Sequence, residues 1–230
     1  MPPPSDRPVD LPLQLRVRGR RCLVVGAGPV GTRRAATLAA AGADVVLVAT
    51  EPSAGAEDLA RDGVVELRRR TALDSDVQGC LLVVTATGVP EVDESIARAA
   101  AASGALVNRA DGGADGDVAL PAVVRRGTVQ VAVSTGSAAP GLARELARRL
   151  DESLGALTGL DDAGVAVLVD LVAEVRAELG AGAGRPGDEQ PVTSGSLDWR
   201  VVLDGSILEL IHQGRRAEAK ERLLACLSSS

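Results

Sequence analysis

Residues 21–26 read RCLVVG, an unbroken apolar run closed by glycine, and runs of the same kind return at 45–48 and 81–86. A strand without polar alternation is one covered on both faces, as parallel sheets require. Between these runs the apolar positions fall at helical spacing. A helix is predicted at 30–41 and closes on Gly42, a shorter one at 56–61, and a third at 91–102 ends at Gly104. Shorter strands are predicted at 64–68 and 106–108. Strand and helix alternate throughout, which is the pattern of an α/β fold with a doubly wound parallel sheet.

Beyond residue 110 the rhythm changes. Strands at 118–124 and 128–133 flank Arg-Arg-Gly-Thr, a hairpin signal. A helix then opens with Ser137 as its N-cap and Pro140 in the first turn. A long amphipathic helix is expected at 161–179, and GAGAGRPGDEQPVTSGS has the composition of a flexible linker. The remainder, 197–227, reads as two short helices, and there is no internal repeat.

Composition narrows the possible partners. The 230 residues include no Phe or Tyr, one Trp (Trp199) and one Lys (Lys220), so the core is built from Val, Leu and Ala. Sites for single-stranded nucleic acid stack bases on aromatic rings, and among Phe, Tyr and Trp this chain offers Trp199 alone. Residues 1–150 carry 18 basic and 17 acidic groups, a net +1; residues 151–230 carry 7 and 14, a net −7. An acidic tail on a neutral body is no nucleic-acid footprint. Cys22, Cys80 and Cys226 are spaced neither as a disulfide framework nor as a zinc site, and are expected to be reduced thiols. The opening MPPPSDRPVD has no apolar signal core and no stretch reaches a membrane span, so a cytoplasmic protein is expected.

Three glycine- or aspartate-rich turns carry the candidate chemistry. Gly26-Ala27-Gly28-Pro29-Val30-Gly31 fits G-x-G-x-x-G between a strand and a helix, the setting in which that motif holds a dinucleotide pyrophosphate. The acid that often grips the ribose is displaced: Thr50 ends the second strand and Glu51 follows, which favours NAD over NADP. Arg33 and Arg34 early in the helix could favour a phosphate or simply be solvated. Asn108 and Asp111 sit past the carboxyl end of the fifth strand, where such sheets bind ligands; Asp111 reads either as a general base or as turn punctuation. Ser134-Thr135-Gly136-Ser137 offers hydroxyls and amides to an anion, or else caps a helix. His212, the lone histidine, is far from all three, which disfavours Ser-His-Asp or Cys-His catalysis and a histidine metal site. The residues alone leave open a dehydrogenase or reductase of a small acid, or a non-catalytic nucleotide-sensing domain.

Taken in order, LPLQLRVRGRRCLVVGAGPVGTRRAATLAAAGADVVLV, VVTAT, VNRAD, ALPAVVRRGTVQVAVSTG and APGLARELARRL resemble the precorrin-2 dehydrogenase family. That family includes the sirohydrochlorin ferrochelatases and the N-terminal half of bifunctional siroheme synthases; the resemblance spans 11–155, with a similar helical tail. It implies a Rossmann domain at 11–112, a hairpin and helix dimerisation region at 113–150, and a small helical domain at 151–230 with its linker at 181–196. It implies a homodimer that oxidises precorrin-2 to sirohydrochlorin with NAD+, and in many members inserts Fe2+ to give siroheme. Carried over, the essential aspartate is Asp111, and the cofactor contacts are Gly26, Gly28, Pro29, Val30, Gly31, Thr50 and Glu51. Asn108, Ser134, Thr135 and Gly136 correspond to the tetrapyrrole pocket. A substrate with eight carboxylates also wants cations, and Arg109, Arg125 and Arg126 lie beside those positions in sequence. Two departures stand out. Gly88 follows Thr87 where the family often has an acid or amide, and S-T-G-G-x-S-P is replaced by Ser134-Thr135-Gly136-Ser137-Ala138-Ala139-Pro140.

Overall fold

The structure, a computed structural model, describes residues 10–110, 116–136, 138–181 and 202–228. Asp111 and Ser137 lie outside the described residues, as do much of the expected linker and the start of the helices expected from 197. The chain divides into two compact units, Met1–Leu120 and Pro121–Ser230.

The first unit is a five-stranded parallel sheet in the order β3-β2-β1-β4-β5. Its strands are β1 (Arg21–Val25), β2 (Asp44–Ala49), β3 (Glu66–Arg69), β4 (Leu82–Thr85) and β5 (Leu106–Arg109). Helices α1 (Pro29–Ala40), α2 (Ala54–Arg61) and α3 (Pro90–Ala102) connect them. The unbroken apolar runs follow from burial on both faces. Val24, Leu47 and Val84 pack with Ala35, Leu38 and Ala56 of α1 and α2. Leu23, Val48 and Val83 pack on the other side with Ile96, Ala97 and Ala100 of α3. Cys22 and Cys80 are buried free thiols, and burial pushes Cys22 up to about 11, so it is inert at neutral pH.

A short 3-10 turn at Asp74–Val77 has no counterpart in the periodicity. An ionic clamp holds it: the buried Asp76 carboxylate accepts from Arg70 at 2.6 and 2.7 Å, from Arg68 at 3.0 Å and from the Leu73 amide at 2.9 Å. Hydrogen bonds from Arg70, then the Leu73 amide, draw its pKa from 3.8 to about 2. A carboxylate depressed in the folded state stabilises above its unfolded pKa, and the contribution is lost as pH falls from about 4 towards 2. The shift corresponds to about 2 kcal/mol. Asp76→Asn is therefore expected to lower stability by about that amount at neutral pH and to flatten the acid limb of a denaturation series. An unchanged acid limb would remove the clamp from the stability account.

The second unit begins with an antiparallel hairpin, β6 (Ala122–Arg126) and β7 (Val129–Val133). The first strand starts later than the pattern predicts because Pro121 offers no ladder donor. The preceding residues instead run beside β5, Val118 N–H donating to Val107 O at 3.0 Å. Gly127, at φ 54°, supplies the turn. Helix α4 (Pro140–Thr158) is capped at Ala139 without a side-chain bond, and Gly159 ends it in the left-handed region. Helices α5 (Asp162–Ala181), α6 (Gly205–His212) and α7 (Arg216–Ser228) bury Leu171, Val175, Ile207 and Leu223 among themselves. His212 is exposed at the end of α6. Among the described residues no helix is long and apolar enough to cross a membrane.

Candidate functional site

The parallel register puts the carboxyl ends of four strands at one level. Val25 lies opposite Val48 and Thr85, and Thr85 opposite Arg109. Strand order reverses between β1 and β4, which is where open α/β sheets bind ligands.

The glycine turn sits at that reversal. Gly26 N–H donates to Val48 O at 2.9 Å, and Ala86 N–H donates to Val25 O at 2.8 Å, so the turn is tied to both neighbouring strands. Gly26 has φ +100°, and a Cβ there would lie 2.3 Å from Ala86 O. At Gly31 a Cβ would lie 1.8 Å from Gly26 O. Both glycines are demanded by the chain's own packing. Gly28 is not: its φ of −71° suits any residue, and a Cβ would meet nothing within 4 Å. A bare Cα there leaves open space beside the start of α1.

That helix start is unfilled from within the chain. Gly28 caps α1 without a side-chain bond, Pro29 takes the first position, and the first turn holds no acid. The amides of Val30 and Gly31 have no acceptor among the described residues, so two donors and the positive end of the helix dipole face the space over Gly28. These features fit a pyrophosphate. Thr50 and Glu51 are exposed just past β2, beside the same turn.

Two supports for this edge were not evident from the motif. Thr32 Oγ1 donates to Ala27 O at 3.1 Å and shares a 3.0 Å hydrogen bond with Ser53 Oγ, the N-cap of α2. Across the turn, the buried Asp93 carboxylate accepts from Thr87 N–H at 3.1 Å and from its hydroxyl at 2.8 Å. Asp93 thereby shapes the β4–α3 turn that contains Gly88 and abuts Gly26. A hydroxyl just before a helix was the available signal for Ser53; nothing local marks Asp93.

At β5, Asn108 is 3% exposed. Its Nδ2 donates to Val118 O at 2.6 Å, while Oδ1 is buried without a partner. The Arg109 guanidinium is largely buried and pairs with Glu94 of α3 at 2.5 Å. In the second unit Ser134 and Gly136 are exposed and the loop bonds itself: Gly136 N–H donates to Ser134 Oγ at 3.2 Å, and Ala139 N–H to Thr135 Oγ1 at 3.2 Å. Arg126 lies 2.7 Å from Asp151, in a geometry too poorly aligned for a hydrogen bond, and 3.5 Å from Asp162. The structure thus gathers Gly26–Gly31, Thr50, Glu51, Asn108 and Arg109 along one sheet edge, with Ser134–Gly136, Arg125 and Arg126 in the second unit.

Known proteins place this geometry. Residues 13–122 match a family model described as "Putative NAD(P)-binding". The siroheme synthase of Nitrosococcus oceani is 34% identical over 220 residues, covering 94% of this chain and 44% of that protein. That of Methylococcus capsulatus is 33% identical over 214 residues, covering 93% and 42%. The solved structure of "SirC, precorrin-2 dehydrogenase" superposes with a TM-score of 0.59 at 24% identity, over 96% of this chain and all of that one, which establishes the shared fold. The chain spans a little under half the length of the curated relatives it matches. With its NAD(P)-binding Rossmann domain, hairpin and helical tail, it is homologous to the N-terminal region of the siroheme synthases.

Proposed function

We propose that this protein is an NAD-dependent precorrin-2 dehydrogenase, working as a homodimer, with Fe2+ as a further substrate in a subsequent chelation. One observation carries the reading: a glycine cradle open only at Gly28 lies at the sheet's switch point, in a chain aligned over 94% of its length with siroheme synthases. The fold neighbour SirC, named as a precorrin-2 dehydrogenase, points the same way.

Oxidising precorrin-2 to sirohydrochlorin removes a hydride and a proton. NAD+ supplies the hydride acceptor when bound. Gly28 and the Val30 and Gly31 amides would hold its pyrophosphate, and Glu51 would take the ribose hydroxyls and repel a 2′-phosphate. Asp111, two residues beyond β5, is the proposed base that takes the proton. Asn108 and Arg109 are the proposed contacts to a carboxylate-rich macrocycle. When Fe2+ enters, two pyrrole N–H protons must leave, and Asp111 is the proposed carboxylate that takes them one at a time and passes each to solvent. The direct test is an anaerobic assay of precorrin-2 with NAD+, followed by Fe2+. NADH is expected in step with sirohydrochlorin, whose spectrum then changes on metal entry. No NADH would overturn the dehydrogenase reading, and no change with Fe2+ would remove the chelatase.

The homodimer is supported by α4. Leu142, Leu146 and Leu150, one turn apart, are 53%, 41% and 40% exposed, a stripe that a second copy would cover. Leu146→Glu is expected to convert a sedimenting dimer to monomer at micromolar concentration. A wild type already monomeric there would sink the dimer.

A further inference from the structure

Several partly buried arginines of the first unit meet a carboxylate: Arg68 and Arg70 meet Asp76, and Arg109 meets Glu94. Arg34 does not. Like that of Arg21, its Nε is buried without a hydrogen-bond partner, and no carboxylate pairs with it among the described residues; unlike Arg21, it lies on the helix that opens at Gly28. Burial and the adjacent Arg33 both work against its charge, yet a guanidinium stays protonated. Its two Nη groups are not among the buried orphan atoms, so the charged tip reaches the surface.

The helix geometry says where that tip lies. Gly31, Ala35 and Leu38 form the inner face of α1. At about 100° per residue, Thr32 and Arg34 fall on opposite flanks of that face. Thr32 touches Ser53, on the β2–α2 side. Arg34 therefore flanks the β4 side, away from the ribose position at Thr50 and Glu51. Helical side chains lean towards the N-terminus, so the Arg34 stem is directed along α1 towards the turn that begins at Gly28. The same face of the sheet, marked by Val84 in the core beneath α1, ends at Asn108, whose buried Oδ1 also lacks a partner.

We propose that Arg34 is an anion-binding residue of the dinucleotide cleft, pairing with an anionic oxygen held at the start of α1. The proposal rests on the dinucleotide reading and not on the identity of the substrate. Two sources could supply the oxygen, the pyrophosphate of the cofactor or a carboxylate of the substrate. Arg34→Gln and Arg34→Lys separate them through calorimetric Kd values for NADH and for sirohydrochlorin, alongside the melting temperature of the free protein. The Gln variant is expected to weaken one of the two by about 10–100-fold, as loss of a charge-assisted pair does, and Lys to recover much of it. The ligand affected names the source. The free Gln variant should melt at the same temperature or higher, because it sheds an unpaired half-buried charge. Both affinities staying within twofold of wild type would overturn the proposal, as would a lowered melting temperature with unchanged affinities. Wild-type protein that binds no NADH would overturn the dinucleotide reading itself, and the proposal with it, whatever the variants do.

Discussion

Replacing Gly28 by alanine is expected to leave the free protein as stable as wild type and to cost at least about thirtyfold in NADH affinity. The two neighbouring glycines should behave in the opposite way. At Gly26 an alanine meets the Ala86 carbonyl at 2.3 Å and must hold φ near +100°; at Gly31 it meets the Gly26 carbonyl at 1.8 Å. Backbone strain and overpacking each cost on the order of 1–3 kcal/mol, so either change should lower the melting temperature by roughly 10 °C. Gly28 has neither problem, and its new methyl would project into the space over the helix start. Calorimetry and thermal melts of the three variants check this together. A Gly28→Ala protein that binds NADH normally would show that no dinucleotide approaches that Cα.

Asp111→Asn should lower the rate of precorrin-2 oxidation by about 10²–10⁴-fold, the usual contribution of a general base. NADH affinity and melting temperature should stay close to wild type, because the amide keeps the size of the side chain and Asp111 is not assigned to the cofactor. Asp111→Glu should recover part of the rate. A nucleotide sensor would be indifferent to these changes, whereas a dehydrogenase would not. An Asn variant that oxidises precorrin-2 at the native rate would move the base to another residue.

The strands of the first unit were legible because burial on both faces leaves a one-dimensional mark, an apolar run with no alternation. The helices between them were legible from period and from terminal glycines. Chain and pattern part where the deciding contact is distant. The strand expected from 118 begins at Ala122, because Pro121 breaks the ladder and the segment before it bonds to β5. The Asp74–Val77 turn exists because Asp76 finds Arg68 and Arg70, a pairing that leaves no period in the sequence.

The candidate site divides in the same way. Motif spacing located Gly26, Gly28 and Gly31 as the turn between β1 and α1 and placed Asn108 and Asp111 near the end of the fifth strand. It could not rank the glycines. Their roles separate only when Ala86 O and Gly26 O come to occupy the space that a Cβ at Gly26 or Gly31 would need, while nothing approaches Gly28. Nor could it find Asp93 behind Thr87, the Ser53–Thr32 link 21 residues apart, or the Glu94 carboxylate on Arg109. By itself, then, the sequence determined the alternating architecture, the position of the glycine turn and the family likeness, since these rest on local period and short-range spacing. The tertiary structure decided which glycine faces outward, that the Arg34 Nε is buried without a partner and which carboxylates brace the cleft, because those depend on atoms that meet only after the sheet has formed.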